Sequence, residues 1–169
     1  MTKRQLGPLV GQRVRLRLLE EADLPVTLAW RNQDHIRTWF VHADLLTWEQ
    51  HQNWSTQYFQ RDNDFIFVIE ETRDLHKPVG QISLYNIEWD QRRAEYGRLL
   101  IGEPEAVGKG VAKEATNVLL DFAFGQLGLA EVALEVFSTN LAAIAIYRAY
   151  GFCEVGESGG LKRMVKVVE

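Results

Sequence analysis

The sequence predicts an α/β fold with a mixed sheet of about seven strands. Two observations carry that prediction. Apolar runs with strand-like alternation recur along the chain, and segments with helical spacing are interleaved among them. The order reads strand, two helices, three strands, helix, strand, helix, two strands.

Val14 to Leu19 alternates basic and apolar residues, giving a first strand with Arg13, Arg15 and Arg17 on a solvated face. A helix begins near Glu21 or Asp23 and runs to about Asn32, with Pro25 tolerable only in its first turn. Thr47 and Gln50 form a capping-box pair for a second helix reaching about Arg61. Phe65 to Glu70, Val79 to Tyr85 and Ala94 to Ile101 read as strands, separated by polar turns at Thr72–Lys77 and Asp90–Arg93. Val111, Ala115, Val118 and Phe122 share a helix face, and Gly125 or Gly128 ends that helix. Val132 to Phe137 is a short central strand, and Leu141 to Tyr150 is a helix closed by Gly151. Phe152–Val155 and Met164–Val168 are the last strands, with a flexible Glu157-Ser158-Gly159-Gly160 between them.

Length and composition bound the possibilities. The 169 residues fit one domain spanning 1–169, and the chain is 46% hydrophobic and 25% charged, as a globular protein should be. A net charge of −4 offers no general grip on nucleic acid or an anionic membrane. Cys153 is the only cysteine, which suits a reducing compartment. The start of the chain has no apolar leader pattern, and no apolar run is long enough to span a bilayer, so a cytoplasmic protein is expected. His35, His42, His51 and His76 form no pair at ligand spacing, so no metal is expected.

The most informative stretch is Glu103 to Ala112, joining a strand to a helix. Gly108 and Gly110 remove side chains where a ligand would approach the backbone, and the N–H groups of the first helical turn attract negative charge. Lys109 adds a point charge. A pyrophosphate cradle and a ligand-free glycine turn are both compatible with this loop alone. A Walker A loop fails, because five residues separate Gly102 from Gly108 and Gly110 follows Lys109. A dinucleotide fingerprint stays a minor rival, opposed by Lys113 at the position of its third glycine.

A second pattern runs from Ser138 to Phe152: Asn140 at a strand end, small residues on the following helix, Tyr147, and a Gly151-Phe152 stop. Taken singly, Asn140 is a natural N-cap and Tyr147 a natural core aromatic. Together, Val107-Gly108-Lys109-Gly110-Val111-Ala112 and Asn-x-x-Ala-x-x-x-Tyr-x-x-x-Gly-Phe resemble the GNAT superfamily of acetyltransferases, over about Val10 to Val155. Trp30-Arg31-Asn32, Ile36-Arg37-x-Trp39 and Ala94-Glu95-Tyr96-Gly97 resemble one branch. It contains the N-terminal acetyltransferases of ribosomal proteins and the amino-sugar acetyltransferases of the pseudaminic-acid pathway. Val107 departs from the Arg or Gln usual at the loop's start.

The resemblance implies the GNAT fold, with helices on both faces of the sheet, and acetyl-CoA as co-substrate. It assigns the cofactor to Ile101, Gly102, Val107, Gly108, Lys109, Gly110, Val111, Ala112 and Asn140. A backbone N–H near Ile101 and Gly102 would polarise the thioester carbonyl. Glu95 is the candidate general base, on one strand face with Gly97, Leu99 and Ile101 by period-two counting; an ion pair with Arg92, Arg93 or Arg98 is its structural alternative. Tyr147 is the candidate acid for the departing thiolate. Arg31, Asn32, Arg37 and Tyr85 are candidate acceptor contacts, the arginines as phosphate clamps. Trp30, Trp48 and Trp54 read as core. The expected acceptor is a small primary amine, such as an amino sugar on a nucleotide; alternatives are a protein N-terminus or noncatalytic acetyl-CoA binding. A homodimer stays open.

Overall fold

The computed structural model describes residues 3–168. Its strands are β1 (Leu9–Val10), β2 (Val14–Leu18), β3 (Phe65–Glu71), β4 (Lys77–Glu88), β5 (Arg93–Ile101), β6 (Glu131–Phe137), β7 (Cys153–Ser158) and β8 (Leu161–Val167). The helices are α1 (Leu24–Arg31), α2 (Asp34–Arg37), α3 (Trp48–Tyr58), α4 (Val111–Asp121) and α5 (Leu141–Ala149). One sheet holds eight strands in the order β1-β2-β3-β4-β5-β6-β8-β7. The strand beyond the expected seven is the two-residue β1, too short to show alternation in the sequence.

Local chemistry explains the helix boundaries. Pro25 lies in the first turn of α1, where a missing N–H costs nothing. Thr47 and Gln50 close a reciprocal capping box at the start of α3. α4 continues into a π turn over Phe122–Gln126, so Gly125 lies inside the helical segment and Gly128, at φ +67°, follows its end. The segment expected to be flexible is a hairpin instead. Glu157 and Ser158 belong to β7, and Gly159 and Gly160 adopt φ +60° and +80°, the geometry of a tight two-residue turn.

β1 to β5 pair antiparallel, and β6, β8 and β7 form a second antiparallel group. The groups meet where β5 and β6 run parallel, yet they pair only over Arg93–Glu95 and Glu131–Ala133. Beyond that point the strands part, leaving a wedge-shaped gap in the sheet.

The main core fills the side carrying α4 and α5, with Tyr96, Leu119, Val132, Tyr147 and Phe152 in contact. The opposite side packs Leu24 and Tyr58 on Ile66 and Val68, and Trp30 and Ile36 on Leu100. Trp30 is core as expected, whereas Trp48 is 43% exposed: it opens α3 at the helix's outer end.

Candidate active site

β5 forms one wall of the gap, and its alternation is broken. Gly97 pairs with Ser83 and Leu100 with Gln81, so Arg98 and Leu99 together face one residue of β4. Arg98 takes φ +54° at this bulge. The sequence reading that put Glu95, Gly97, Leu99 and Ile101 on one face is therefore corrected. Tyr96 packs in the main core, which leaves Glu95 and Gly97 on the α1/α3 side. Past the bulge, Leu99 and Ile101 join the main core while Leu100 packs on Trp30.

Gly102 also needs a different explanation from ligand approach. A Cβ there would lie 2.0 Å from Trp30 Cγ, so the indole occupies that space. Trp30 Nε1 donates to Glu103 Oε2 at 2.7 Å, and Gln33 Nε2 donates to the Gly102 carbonyl at 2.9 Å. The Gly102 N–H is committed to the Val79 carbonyl on β4 at 2.7 Å. Strand alternation then turns the Ile101 N–H away from β4, toward the gap.

The cradle follows. Gly108 and Gly110 have φ +82° and +76°, a conformation that excludes most side chains, and Gly110 is the N-cap of α4. Val107 to Gly110 are exposed, and the amides of Val111, Ala112 and Lys113 begin the helix. Nearby carboxylates are already engaged. Lys77 bridges Glu103 at 3.1 Å and Glu105 at 2.5 Å. Glu114 accepts the N–H groups of Arg13 and Val14, each at 2.8 Å. Lys109 lies 3.7 Å from Asp74 at the loop's edge. The helix end is thus left with a field that favours an anion.

Tyr147 projects from α5 into the core on the same side as this cradle. Its ring meets Tyr96 edge-on at 5.6 Å and Phe152 at 5.9 Å. Burial pushes its phenol up to about 12, so it holds its proton at neutral pH. Asn140 caps α5 by accepting the Ala143 N–H at 3.3 Å. That leaves its amide N–H groups for another acceptor.

Glu95 lies across the sheet from Tyr147, at the vertex where β5 and β6 still pair. It accepts from Asn86 Nδ2 and lies 3.5 Å from Arg163 of β8, a pairing absent from Arg92, Arg93 and Arg98. Arg98 instead forks onto Asp64 and covers the Tyr85 ring at 4.2 Å. A cavity of about 630 Å³ opens beside Glu95, with Glu88, Glu131, Arg93 and Arg163 in its lining.

Arg31, Asn32 and Arg37 do not reach that cavity's lining. Arg31 donates to the His42 carbonyl and stacks on Phe40 at 4.4 Å. Asn32 exchanges two hydrogen bonds with the Leu46 backbone, at 2.8 and 2.9 Å. Arg37 pairs with Asp34 and donates to the Ala43 carbonyl at 3.0 Å. All three fasten the 38–46 connection, whose Trp39 ring reaches Phe137 at 6.3 Å, on the far wall of the gap. This connection roofs the gap's open end on the α1/α3 side.

The sequence reading did not bring Asn86 or Arg163 to Glu95, because sheet pairing alone puts them there. Among the described residues, no cluster of His, Cys, Asp or Glu side chains could hold a metal, and no helix is long and apolar enough to cross a membrane.

Known proteins share this arrangement. The family described as "Acetyltransferase (GNAT) domain" matches residues 13–153. The spermidine N(1)-acetyltransferase of Escherichia coli K12 is 31% identical, over 85% of this chain and 75% of its own. A putative ribosomal N-acetyltransferase of Bacillus subtilis is 27% identical, over 88% and 82%. The crystal structure of the Vibrio cholerae spermidine N-acetyltransferase, in complex with CoA and spermine, superposes with a TM-score of 0.83 at 26% identity, over 93% and 96%. The chain belongs to the GNAT acetyltransferase family and is an acetyl-CoA-dependent N-acetyltransferase.

Proposed function

We propose that the acceptor is a small polyamine-like primary amine, admitted from the α1/α3 side. The observation that carries this reading is the polar cavity beside Glu95, where Glu88, Glu95 and Glu131 face only Arg93 and Arg163. Its formal charge is negative, as a cationic amine requires. The likeness to spermidine acetyltransferases supports the same class. The nucleotide-linked amino sugar draws less support, because Arg37 is held by Asp34 and the Ala43 carbonyl and Arg31 Nη2 by the His42 carbonyl, leaving Arg31 Nη1 alone without a partner.

In this reading Glu95 takes the proton of the ammonium group, directly or through water, freeing its lone pair. The amine attacks the thioester carbonyl, whose oxygen is polarised by the Ile101 N–H. The pyrophosphate rests on the α4 amides behind Gly108 and Gly110, and Asn140 holds the pantetheine amide. As the tetrahedral intermediate collapses, Tyr147 protonates the departing sulfur.

The test is thiol release from acetyl-CoA with spermidine, a short diamine, a free amino sugar, its nucleotide conjugate and an N-terminal peptide. Spermidine is expected to have the highest kcat/KM, and Glu95→Gln to lower kcat. A higher kcat/KM for the sugar nucleotide or the peptide would overturn the assignment.

A further inference from the structure

Glu95 has two side-chain partners among the described residues, one from each side of the β5–β6 junction. Asn86 of β4 donates from Nδ2 to Oε2, and Arg163 of β8 lies 3.5 Å from Oε1. The second separation is an ion pair but too long for a good hydrogen bond, so the lone pairs of Oε1 stay available. Asn86 and Arg163 both line the cavity beside Glu95.

Asn86 reaches Glu95 through a bulge in β4. Tyr85 pairs with Glu95 and Glu88 with Arg93, so Asn86 and Ile87 together face Ala94. Asn86 takes φ +49°, a left-handed backbone that asparagine adopts more readily than most residues. Leu84 and Ile87 both pack in the main core. Strict alternation from Leu84 would send residue 86 into that core as well. The extra residue gives the inward place to Ile87 and leaves Asn86 exposed on the cavity side with Glu95. The Ile87 N–H anchors the bulge from its other flank by donating to the Asn63 carbonyl at 3.1 Å.

A general base must hold an oxygen lone pair within hydrogen-bond reach of the proton it takes. A glutamate side chain free to change rotamer does so only part of the time. We infer that Asn86 is a positioning residue for the proton transfer, its amide pinning Glu95 Oε2 so that Oε1 faces the bound ammonium group. The inference rests on Glu95 being the base. In that step an ammonium N–H bond breaks, its electron pair stays on nitrogen, and an O–H bond forms at Oε1. Asn86 gives up no proton. Glu95 returns its own to solvent after the acetylated product leaves.

Asn86→Gly separates the side chain from the backbone, because glycine accepts the same left-handed φ. The variant should fold with a melting temperature near that of wild type. Its kcat should fall about 3- to 10-fold, as for one lost hydrogen bond. KM for the amine should hold within about 2-fold, because the amide orients the base and does not bind the ground state. Asn86→Asp keeps the shape, loses the donor and sets a second carboxylate against the first. It should lower kcat further, while KM for a cationic amine holds or falls.

The deciding measurement is the cycle of Asn86→Gly, Glu95→Gln and the double variant. It reads kcat with whichever amine of the panel above has the highest kcat/KM, and melting temperatures alongside. If Asn86 acts through Glu95, its removal costs nothing further once the carboxylate is gone. An equal loss in both backgrounds would overturn the inference, and so would wild-type kcat in Asn86→Gly beside an impaired Glu95→Gln. Both results leave the base standing. Wild-type kcat in Glu95→Gln would remove the base itself, and the inference with it.

Discussion

Gly102→Ala tests how α1 is held against the end of β5. The new methyl would lie 2.0, 2.2 and 2.5 Å from Cγ, Cδ1 and Cδ2 of Trp30. Carbon atoms in contact settle about 3.5–4.0 Å apart, so the indole must retreat by roughly 1.5 Å. It has little room, being 2% exposed and packed on Leu100 and Ile36. Retreat also breaks the 2.7 Å bond from Nε1 to Glu103. Overpacking costs about 1–3 kcal/mol, and a hydrogen bond to a charged group contributes about 1.5–3 kcal/mol. Together they come to about 4 kcal/mol, or ~8–16 °C in Tm for a chain of this size. The assay is thermal unfolding of wild type, Gly102→Ala, Trp30→Ala and the double variant. With the ring gone, adding the methyl should cost little. A Tm loss under about 3 °C in Gly102→Ala would refute the reasoning, since overpacking at that distance cannot be so cheap. A preserved Tm with a raised KM for acetyl-CoA would return Gly102 to the cofactor.

Two further outcomes follow from the same geometry. Gly110→Asp should raise KM for acetyl-CoA at least ~10-fold, because its carboxylate meets the pyrophosphate at the positive end of α4. Gly110→Asn accepts the same left-handed backbone without charge and should keep most of the affinity, and calorimetric titration with CoA separates the two. Burial pushes the Lys3 amine down to about 8, against 10.5 in an unfolded chain. Between those values the unfolded chain binds more protons, so stability should rise from pH 8 toward pH 10. Lys3→Met should flatten that rise in chemical denaturation, and an unchanged slope would show that another group produces it.

What the sequence made legible was local. The Thr47–Gln50 box and the early Pro25 act within one helical turn, so their pattern carries the structure with it. The glycines at 108 and 110 are required by positive φ angles that few other residues accept. The Gly159-Gly160 turn was equally local, and its two-residue hairpin chemistry was overlooked. What escaped was set by partners distant in sequence. The Arg98 bulge exists because of how β5 meets β4, and counting along β5 alone could not place it. Arg31, Asn32 and Arg37 looked like ligand contacts because polar residues in an aromatic stretch lack an apolar reason to be there. Beyond the Arg37–Asp34 pair, their partners are backbone atoms of the following loop, which no side-chain pattern announces.

The bulge at Arg98 amounts to a change of parity within a single strand. A regular strand assigns odd and even positions to fixed sides along its whole length. One supernumerary residue reassigns them midway, so β5 speaks to two different compartments. Glu95 and Gly97 face the α1/α3 side, while Leu99 and Ile101, odd-numbered as well, pack against the main core. Flattening the bulge with Arg98 kept in the ladder would therefore do more than straighten a strand. It would restore strict alternation and exchange the side of every residue beyond it, carrying Leu100 out from under Trp30.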